Sequence, residues 1–148
     1  MASHLPSDGM MKAIDDFESM RTLALESGLD DGEFDGTVRA YGYFIGKELA
    51  GCVAMKRSRG TYSVEWLAVR AQDRGKGIGR LLVEKVAEDA REDGAGHLWA
   101  IARTPEFFMH MGFTSSSQEI SPVLSFENCR RCPQFNNTCS PKIVTKAL

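Results

Sequence analysis

The sequence predicts one α/β domain, in the mixed α+β sense, whose sheet starts as an antiparallel meander and continues as a parallel strand–helix–strand unit. Two observations support this fold class. Three strand-like segments in the first half are separated by turns of only a few residues, which favours antiparallel pairing. The hydrophobic period then changes to that of a helix, and a further apolar strand follows, as in a parallel crossover.

The first half predicts one helix and three strands. Met10 to Ser27 has apolar residues every three or four positions, which predicts an amphipathic helix. The acidic stretch from Asp30 to Gly36 predicts a loop. The predicted strands are Thr37–Phe44, Leu49–Met55 and Thr61–Val69.

The second half alternates helices and strands. An apolar stripe from Ile78 to Ala90 predicts a helix that begins at Gly77 and ends near Gly94. His97–Ala102 predicts a buried strand, Pro105–Met111 a short helix, and a last strand follows Phe113. The remaining segment, about 117–148, is expected to be an irregular tail of the same domain.

Composition limits the class of protein. The chain has 148 residues, of which 43% are hydrophobic and 26% charged, as expected for a single domain covering residues 1–148. The formal net charge of −2 provides no overall basic field for nucleic acid. No apolar run approaches the roughly 20 residues of a membrane span, and the first residues lack a signal-peptide pattern, so we expect a cytoplasmic protein.

The turn from Arg74 to Arg80 is the most informative segment. It follows a predicted strand, opens a predicted helix, and has the sequence Arg-Gly-Lys-Gly-Ile-Gly-Arg. Glycines let the backbone approach an anion closely, and the first N–H groups of a helix lack intrahelical acceptors. Together with the three basic side chains, this construction suits a pyrophosphate.

Other nucleotide-binding patterns do not match this turn. A P-loop requires Gly-Lys-Ser/Thr after four intervening residues, and a dinucleotide-binding fold places its glycines after the first strand of a βαβ unit. Neither arrangement is present. The remaining alternative is an ordinary helix start whose basic residues only confer solubility.

Three motifs in order resemble those of the GNAT acetyltransferases. The pyrophosphate loop of that superfamily, Arg/Gln-x-x-Gly-x-Gly/Ala, is matched by Arg74, Gly77 and Gly79. A short apolar stretch, Trp66–Val69, ends the preceding strand, and an aromatic pair lies upstream of Gly-Phe in Phe107–Phe113. The resemblance covers about residues 10–113 and leaves the tail outside.

The resemblance implies a GNAT fold, with a mixed central sheet of about six to seven strands flanked by about four helices. It also implies that the strands at Thr61–Val69 and His97–Ala102 splay apart to admit acetyl-CoA. The backbone of Leu67 would bind the acetyl carbonyl and that of Val69 the pantetheine arm. The implied cofactor-binding residues are Leu67, Ala68, Val69, Arg74, Gly75, Lys76, Gly77, Ile78, Gly79 and Arg80.

Glu65 is the candidate general base. With regular strand alternation it would share a face with Leu67 and Val69, and members of the family often place a His or Glu at this position. Burial would raise its pKa towards a useful value. The alternative is that Glu65 pairs with a basic neighbour or faces solvent.

Two further positions bear on acceptor and mechanism. Phe108 stands where many family members have a Tyr that protonates the leaving thiolate, so the general acid is unassigned. The segment Ala102–Phe108 resembles the branch that contains N-acetylglutamate synthase. There Arg103 could pair with a substrate carboxylate, although it could equally cap the sheet or bind a loop carboxylate.

The tail has a Cys-x2-Cys-x6-Cys spacing at Cys129, Cys132 and Cys139. These residues are candidate ligands of zinc or an iron–sulfur cluster, with Cys52 or a histidine as a fourth ligand. Thiols or a redox-labile disulfide are the alternatives.

The leading hypothesis is therefore an acetyl-CoA-dependent N-acetyltransferase that acts directly on a primary amine of a small molecule, with amino acids as the first candidates. No nucleic-acid or membrane partner is expected, and a homodimer is left open. Two alternatives belong to other classes: an acetyl-CoA-binding sensor that has lost catalysis, and a metal- or redox-responsive interaction module that uses the cysteine tail.

Overall fold

The computed structural model describes residues 9–27, 37–102, 104–116 and 142–148. These residues form seven strands, three α-helices and a short 3₁₀ turn at Ala71–Asp73. The strands are β1 (Gly9–Ala13), β2 (Thr37–Ile45), β3 (Glu48–Ser58), β4 (Thr61–Val69), β5 (His97–Ala102), β6 (Thr114–Ser116) and β7 (Lys142–Ala147). The helices are α1 (Phe17–Glu26), α2 (Ile78–Glu92) and α3 (Pro105–Met109).

All seven strands belong to one sheet, in the order β1-β2-β3-β4-β5-β7-β6. β4 and β5 are parallel, and every other pair is antiparallel. The predicted mixed sheet, with its meander followed by a parallel crossover through α2, is therefore confirmed. No helix in the described residues is both long and apolar enough to span a membrane.

The two faces of the sheet are covered by different helices. On the α1 face, Met20 and Leu23 pack with Cys52, Ala54 and Ala68. On the α2 face, the buried side of α2 packs against β3 and β4, with Ile78, Leu82, Val83, Val86, Val53, Met55 and Val64 in one cluster. The candidate site lies along the C-terminal half of β4, which has one of these packed layers on each face.

Close packing places the start of α2 against the sheet. A Cβ on Gly51 of β3 would lie 2.9 Å from Cγ2 of Ile78 and 3.3 Å from the carbonyl oxygen of Ala68. Only a residue without a side chain lets the first turn of α2 approach β3 this closely. The turn that precedes α2 is thereby held next to the end of β4.

The predicted helix over Met10–Ser27 is wrong in its first part. Gly9–Ala13 is a strand that pairs with β2 in the register Met11 to Tyr43. The helix begins only at Phe17, where the Asp16 carboxylate accepts a hydrogen bond from the Ser19 N–H at 3.2 Å. Pairing with a strand some 30 residues away overrode the local helical period.

The predicted irregular tail is also wrong over its last residues. Lys142–Ala147 forms β7, which lies between β5 and β6 and pairs with both. Ile143 and Val144 are buried there. This strand therefore completes the core beside β5, at the far side of the candidate site.

Candidate active site

β4 and β5 separate at the middle of the sheet. Their parallel ladder joins Tyr62–Val64 to Leu98–Ala100 and goes no further. β4 continues to Val69 while paired to β3, so its other edge has no strand partner within the described part of the chain from Glu65 onward. The expected splay of the two strands is confirmed, and it leaves backbone groups of β4 available to a ligand.

A β-bulge interrupts β4 at this separation. Glu65 is opposite Ala54 and Ala68 is opposite Cys52, so β4 has one residue more than β3 in this interval. Trp66, inside the bulge, has a φ of +55°. Such a bulge re-aims side chains, and bulges are common beside active sites.

The bulge overturns the expected alternation. Glu65 lies on the α1 face with Ala54, whereas Leu67 and Val69 pack against the core of the α2 face. The expectation that Glu65 shares a face with Leu67 and Val69 was therefore wrong, because the extra residue shifts the side-chain period by one. Glu65 and the Leu67 side chain lie on opposite faces, and the backbone of residues 66–67 runs between them.

Glu65 is half-buried between polar neighbours. Its Oε1 accepts a hydrogen bond from Ser63 Oγ at 3.5 Å, and Ser63 is fully buried. Lys56 lies opposite Ser63 on β3. Burial raises the pKa of Glu65 above its ordinary value, and the charge of Lys56 and the Ser63 hydrogen bond oppose that rise only in part. A raised pKa suits a carboxylate that accepts a proton near neutral pH.

The turn between β4 and α2 presents unpaired backbone donors. Gly75 and Gly77 have φ values of +80° and +90°, and Gly77 is the N-cap of α2. None of the N–H groups from Gly75 to Arg80 donates to a backbone acceptor in the described residues. A Cβ on Gly75 would contact nothing within 4 Å, so the turn is open. These observations fit a pyrophosphate bound at the helix start.

The basic side chains of the turn are already engaged. Arg74 Nε donates to the carbonyl of Val69 at 3.0 Å, Lys76 Nζ to Asp73 at 2.7 Å, and Arg80 Nε to Glu84 at 2.9 Å. Ile78 is buried, so only its backbone can face an anion. The backbone donors, rather than free cations, are thus the prominent anion-binding feature of the turn.

Asp73 organises this turn and was not singled out from the sequence. Asp73 is 3% exposed, and its carboxylate accepts hydrogen bonds from Lys76 and Arg70. Arg70 also binds Glu48 at 2.8 Å. Lys76 and then Arg70 hold the pKa of Asp73 below its ordinary value. The spacing of Arg70, Asp73 and Lys76 at intervals of three residues was the available sequence indication.

An aromatic group closes the other side of the turn. A Cβ on Gly79 would lie 3.2 Å from the Phe107 ring, so Gly79 allows α3 to pack on α2. Phe108 is buried and stacks edge-on against Phe107 and Phe113, with 5.2 Å between ring centroids in each pair. Phe108 has no proton to donate, so it contributes packing only.

Several predicted residues lie outside the described residues. Arg103, Cys129, Cys132, Cys139 and the acidic loop 30–36 belong to this group. In the described ranges, no group of three or more His, Cys, Asp or Glu side chains could hold a metal ion. Cys52 is fully buried under the β4 bulge, which argues against its use as a fourth ligand for a metal in the tail.

A cleft of about 620 Å³ opens beside the end of β4. One side is formed by α1 and the other by the start of β3 and the residues after β4. Its charged lining is mainly acidic, comprising Asp16, Glu18, Glu26, Glu48 and Arg70, and Arg70 is neutralised locally by Glu48 and Asp73. None of these residues was named individually from the sequence.

Comparison with known proteins identifies the family. A family model described as "Acetyltransferase (GNAT) domain" matches residues 38–115. An uncharacterised N-acetyltransferase of Chlorobaculum tepidum is 37% identical over 82 residues, which are 55% of this chain and 52% of that protein. Streptothricin acetyltransferase of Streptomyces lavendulae is 40% identical over 82 residues, 47% of this chain and 43% of its own.

The chain thus spans about half the length of the curated relatives it matches. Among solved structures, N-acetylglutamate synthase of Neisseria gonorrhoeae, complexed with coenzyme A and N-acetyl-glutamate, superimposes with a TM-score of 0.71 at 21% identity. That match covers 97% of this chain and 36% of the synthase, and at this identity it demonstrates the shared fold. With a split between β4 and β5, a glycine-rich turn before α2 and a matching family model, the chain belongs to the GNAT acetyltransferase family.

Proposed function

We propose that this protein is an acetyl-CoA-dependent N-acetyltransferase that transfers an acetyl group directly to a primary amine of a small molecule. The single observation that supports it best is the end of the β4–β5 ladder at Val64 and Ala100, next to a turn with unpaired N–H groups. An open strand edge beside an anion-binding helix start suits a thioester whose other end is a pyrophosphate.

Each part of the site has a task in this reaction. Acetyl-CoA supplies an activated thioester, whose carbonyl carbon accepts the amine and whose sulfur leaves as a thiolate. The N–H groups of Gly75 to Arg80 bind the pyrophosphate, and the backbone at Leu67 stabilises charge on the carbonyl oxygen as it develops. Glu65 accepts the proton that the ammonium form of the acceptor must lose before its nitrogen can form the new amide bond.

The proton for the leaving thiolate comes from water or the acceptor in this proposal. Phe108 cannot provide it, and the Cys52 side chain is buried between β3 and α1 with its thiol bound to a backbone carbonyl. Burial also raises the pKa of the Cys52 thiol to about 12, so it does not supply a thiolate nucleophile. Direct transfer without an acyl-enzyme fits both observations.

Two acceptor classes follow from different observations. The likeness of segment 102–108 to the N-acetylglutamate synthase branch favours an amino acid, with Arg103 binding its carboxylate. The acidic lining of the cleft along α1 favours a cationic amine, and one relative is named a streptothricin acetyltransferase.

The tail cysteines Cys129, Cys132 and Cys139 remain a candidate metal or redox site separate from the transfer reaction.

The test is a turnover assay with acetyl-CoA and a panel of amino acids, polyamines, streptothricin-type amines and peptide N-termini. Mass spectrometry should detect the acetylated product, because thiol reagents would also react with the four cysteines of the protein. Glutamate as the preferred acceptor would support the Arg103 assignment, and a polyamine would support the acidic cleft. Tight acetyl-CoA binding without any product would favour the sensor instead.

A further inference from the structure

The bulge in β4 requires support from its surroundings. A bulky residue with positive φ is strained, and Trp66 adopts +55° with no glycine to relieve it. The strain sits at the point where the β4–β5 ladder has ended, so the neighbouring strand on that side does not hold the backbone. On the other side, β4 remains paired to β3 before and after the bulge.

β3 supplies that support through Cys52. The thiol is fully buried and donates a hydrogen bond to the carbonyl oxygen of Trp66, with 3.3 Å between Sγ and O. Cys52 is also the residue opposite Ala68, where regular pairing of β3 and β4 resumes after the bulge. Its side chain therefore contacts the peptide group that follows Trp66, the residue with positive φ.

We propose that Cys52 is a positioning residue, whose S–H group fixes the Trp66 carbonyl and thereby the bulge that places Glu65 and the Leu67 backbone for acetyl transfer. This inference rests on the proposed function for its catalytic consequence only. The position of the bulge is a property of the folded chain and can be measured without any acceptor.

The bulge determines the positions of two groups of the proposed site, the Glu65 carboxylate and the Leu67 backbone. With the extra residue, Glu65 lies on the α1 face while Leu67 packs on the α2 face. If the Trp66 peptide rotated, its carbonyl would lose the hydrogen bond from Cys52, and the N–H group of Leu67, which belongs to the same peptide unit, would turn with it. Removal of the thiol takes away that hydrogen bond and therefore favours a rearranged bulge.

A plain alternative is that Cys52 only fills space, since a free cysteine behaves as a small hydrophobic residue. Two variants separate these roles. Cys52→Ala and Cys52→Ser both remove the sulfur, but Ser retains a hydrogen-bond donor. Val53→Ala is the matched core control, because Val53 is the next residue of β3, equally buried and on the α2 face.

The first measurement is amide hydrogen exchange of Trp66, Leu67 and Ala68 by NMR, with thermal melting recorded for all variants. We expect faster exchange at these amides in Cys52→Ala, near wild-type exchange in Cys52→Ser, and no local change in Val53→Ala despite its lower melting temperature. Unchanged exchange at Leu67 and Ala68 in Cys52→Ala would overturn the proposal, whether or not an acceptor is known.

The second measurement is steady-state kinetics with the acceptor found in the panel. Cys52→Ala should lower kcat at least about tenfold with little change in KM for acetyl-CoA, since a misplacement of about 1 Å can cost about a hundredfold. Cys52→Ser should recover most of kcat. Equal losses in Ala and Ser variants, tracking their melting temperatures, would assign Cys52 to packing. Absence of turnover in the wild type would contradict the proposed function, while the exchange result would still decide the role in the bulge.

Discussion

The ammonium group of Lys76 donates to the carboxylate of Asp73 across 2.7 Å, and the same carboxylate binds Arg70. Asp73 is 3% exposed. Arg70 precedes it by three residues in the chain, and Lys76 follows it by three. One buried anion thus ties the end of β4, through Arg70, to the glycine-rich turn, through Lys76. These two ion pairs therefore hold the turn in addition to its glycines.

Asp73→Asn should lower stability and weaken acetyl-CoA binding. Loss of charged hydrogen bonds to the partly exposed Lys76 and Arg70 should cost about 1.5 to 3 kcal/mol. Thermal melting and calorimetric titration with acetyl-CoA would measure the two effects. Glu84→Gln, which removes the exposed partner of Arg80, is the control and should change stability by less than about 1 kcal/mol.

The loss of stability caused by Asp73→Asn should become smaller as the pH falls. Because the folded-state pKa of Asp73 is lowered, its contribution is fully present above the ordinary value of 3.8 and disappears as the pH falls through the folded-state value. The difference in melting temperature between wild type and Asp73→Asn should therefore be constant near neutrality and shrink in acid below about pH 4. A difference independent of pH would show that Asp73 is not ionised in the folded protein.

Gly77→Glu should abolish acetyl-CoA binding. The change introduces a carboxylate at the N-cap of α2, beside the N–H groups that the proposal assigns to the phosphates, and it also strains a residue with a φ of +90°. Gly60→Glu is the matched control, since Gly60 has a φ of +80° in the open β3–β4 turn. Equal loss of calorimetric affinity in both variants would refute the phosphate site; retained affinity in Gly60→Glu alone would support it.

Glu65→Gln should slow turnover by about a hundredfold or more in the pH range between the raised pKa of Glu65 and the pKa of the acceptor amine, the size expected for loss of a general base. Below that range Glu65 is itself protonated, so the two proteins should be similarly slow. The wild-type rate should rise with pH as Glu65 ionises, over a range above its ordinary pKa of 4.5 because burial raises that pKa. The loss should narrow at high pH, where the acceptor amine is already neutral. Affinity for acetyl-CoA should not change. A pH–rate profile identical to the wild type would exclude Glu65 as the base.

The same substitution should raise stability near neutral pH. A carboxyl whose folded-state pKa is raised binds its proton more tightly when folded, so its ionisation destabilises the protein as the pH rises from the unfolded-state value to the folded-state value. Glu65→Gln should therefore melt at a higher temperature than wild type at pH 7, and the advantage should vanish below about pH 4.5. A lower melting temperature at pH 7 would mean that the charged form is stabilised by its neighbours.

Local patterns were reliable where the chain interacts mainly with its near neighbours. The glycine-rich turn and the amphipathic period of α2 were both predicted, because left-handed torsions and a helical apolar stripe depend on residues only a few positions apart. Thr61–Val69 and His97–Ala102 were predicted with the bounds that the structure has. Their separation was expected from the family resemblance and follows from the short ladder between them.

These local patterns could not predict which distant segments pair as strands. Gly9–Ala13 has a helical period but pairs with β2, and Lys142–Ala147 inserts between β5 and β6 although nothing local marks it as a central strand. Asp73 likewise becomes conspicuous only when Arg70 and Lys76 are seen to converge on it. The two strands depend on which distant strand is available for pairing, whereas the Asp73 cluster depends on how the local turn folds.

The sequence by itself determined that a strand ends in a glycine-rich turn before an amphipathic helix, and it named Glu65 on that strand as the candidate base. Only the tertiary structure decided which way Glu65 points. The bulge at Trp66 arises because β3 and β4 must stay paired on both sides of an extra residue, with Cys52 holding the carbonyl between them. Alternation along one strand cannot reveal such an insertion, since the register is a property of two strands and not of either alone.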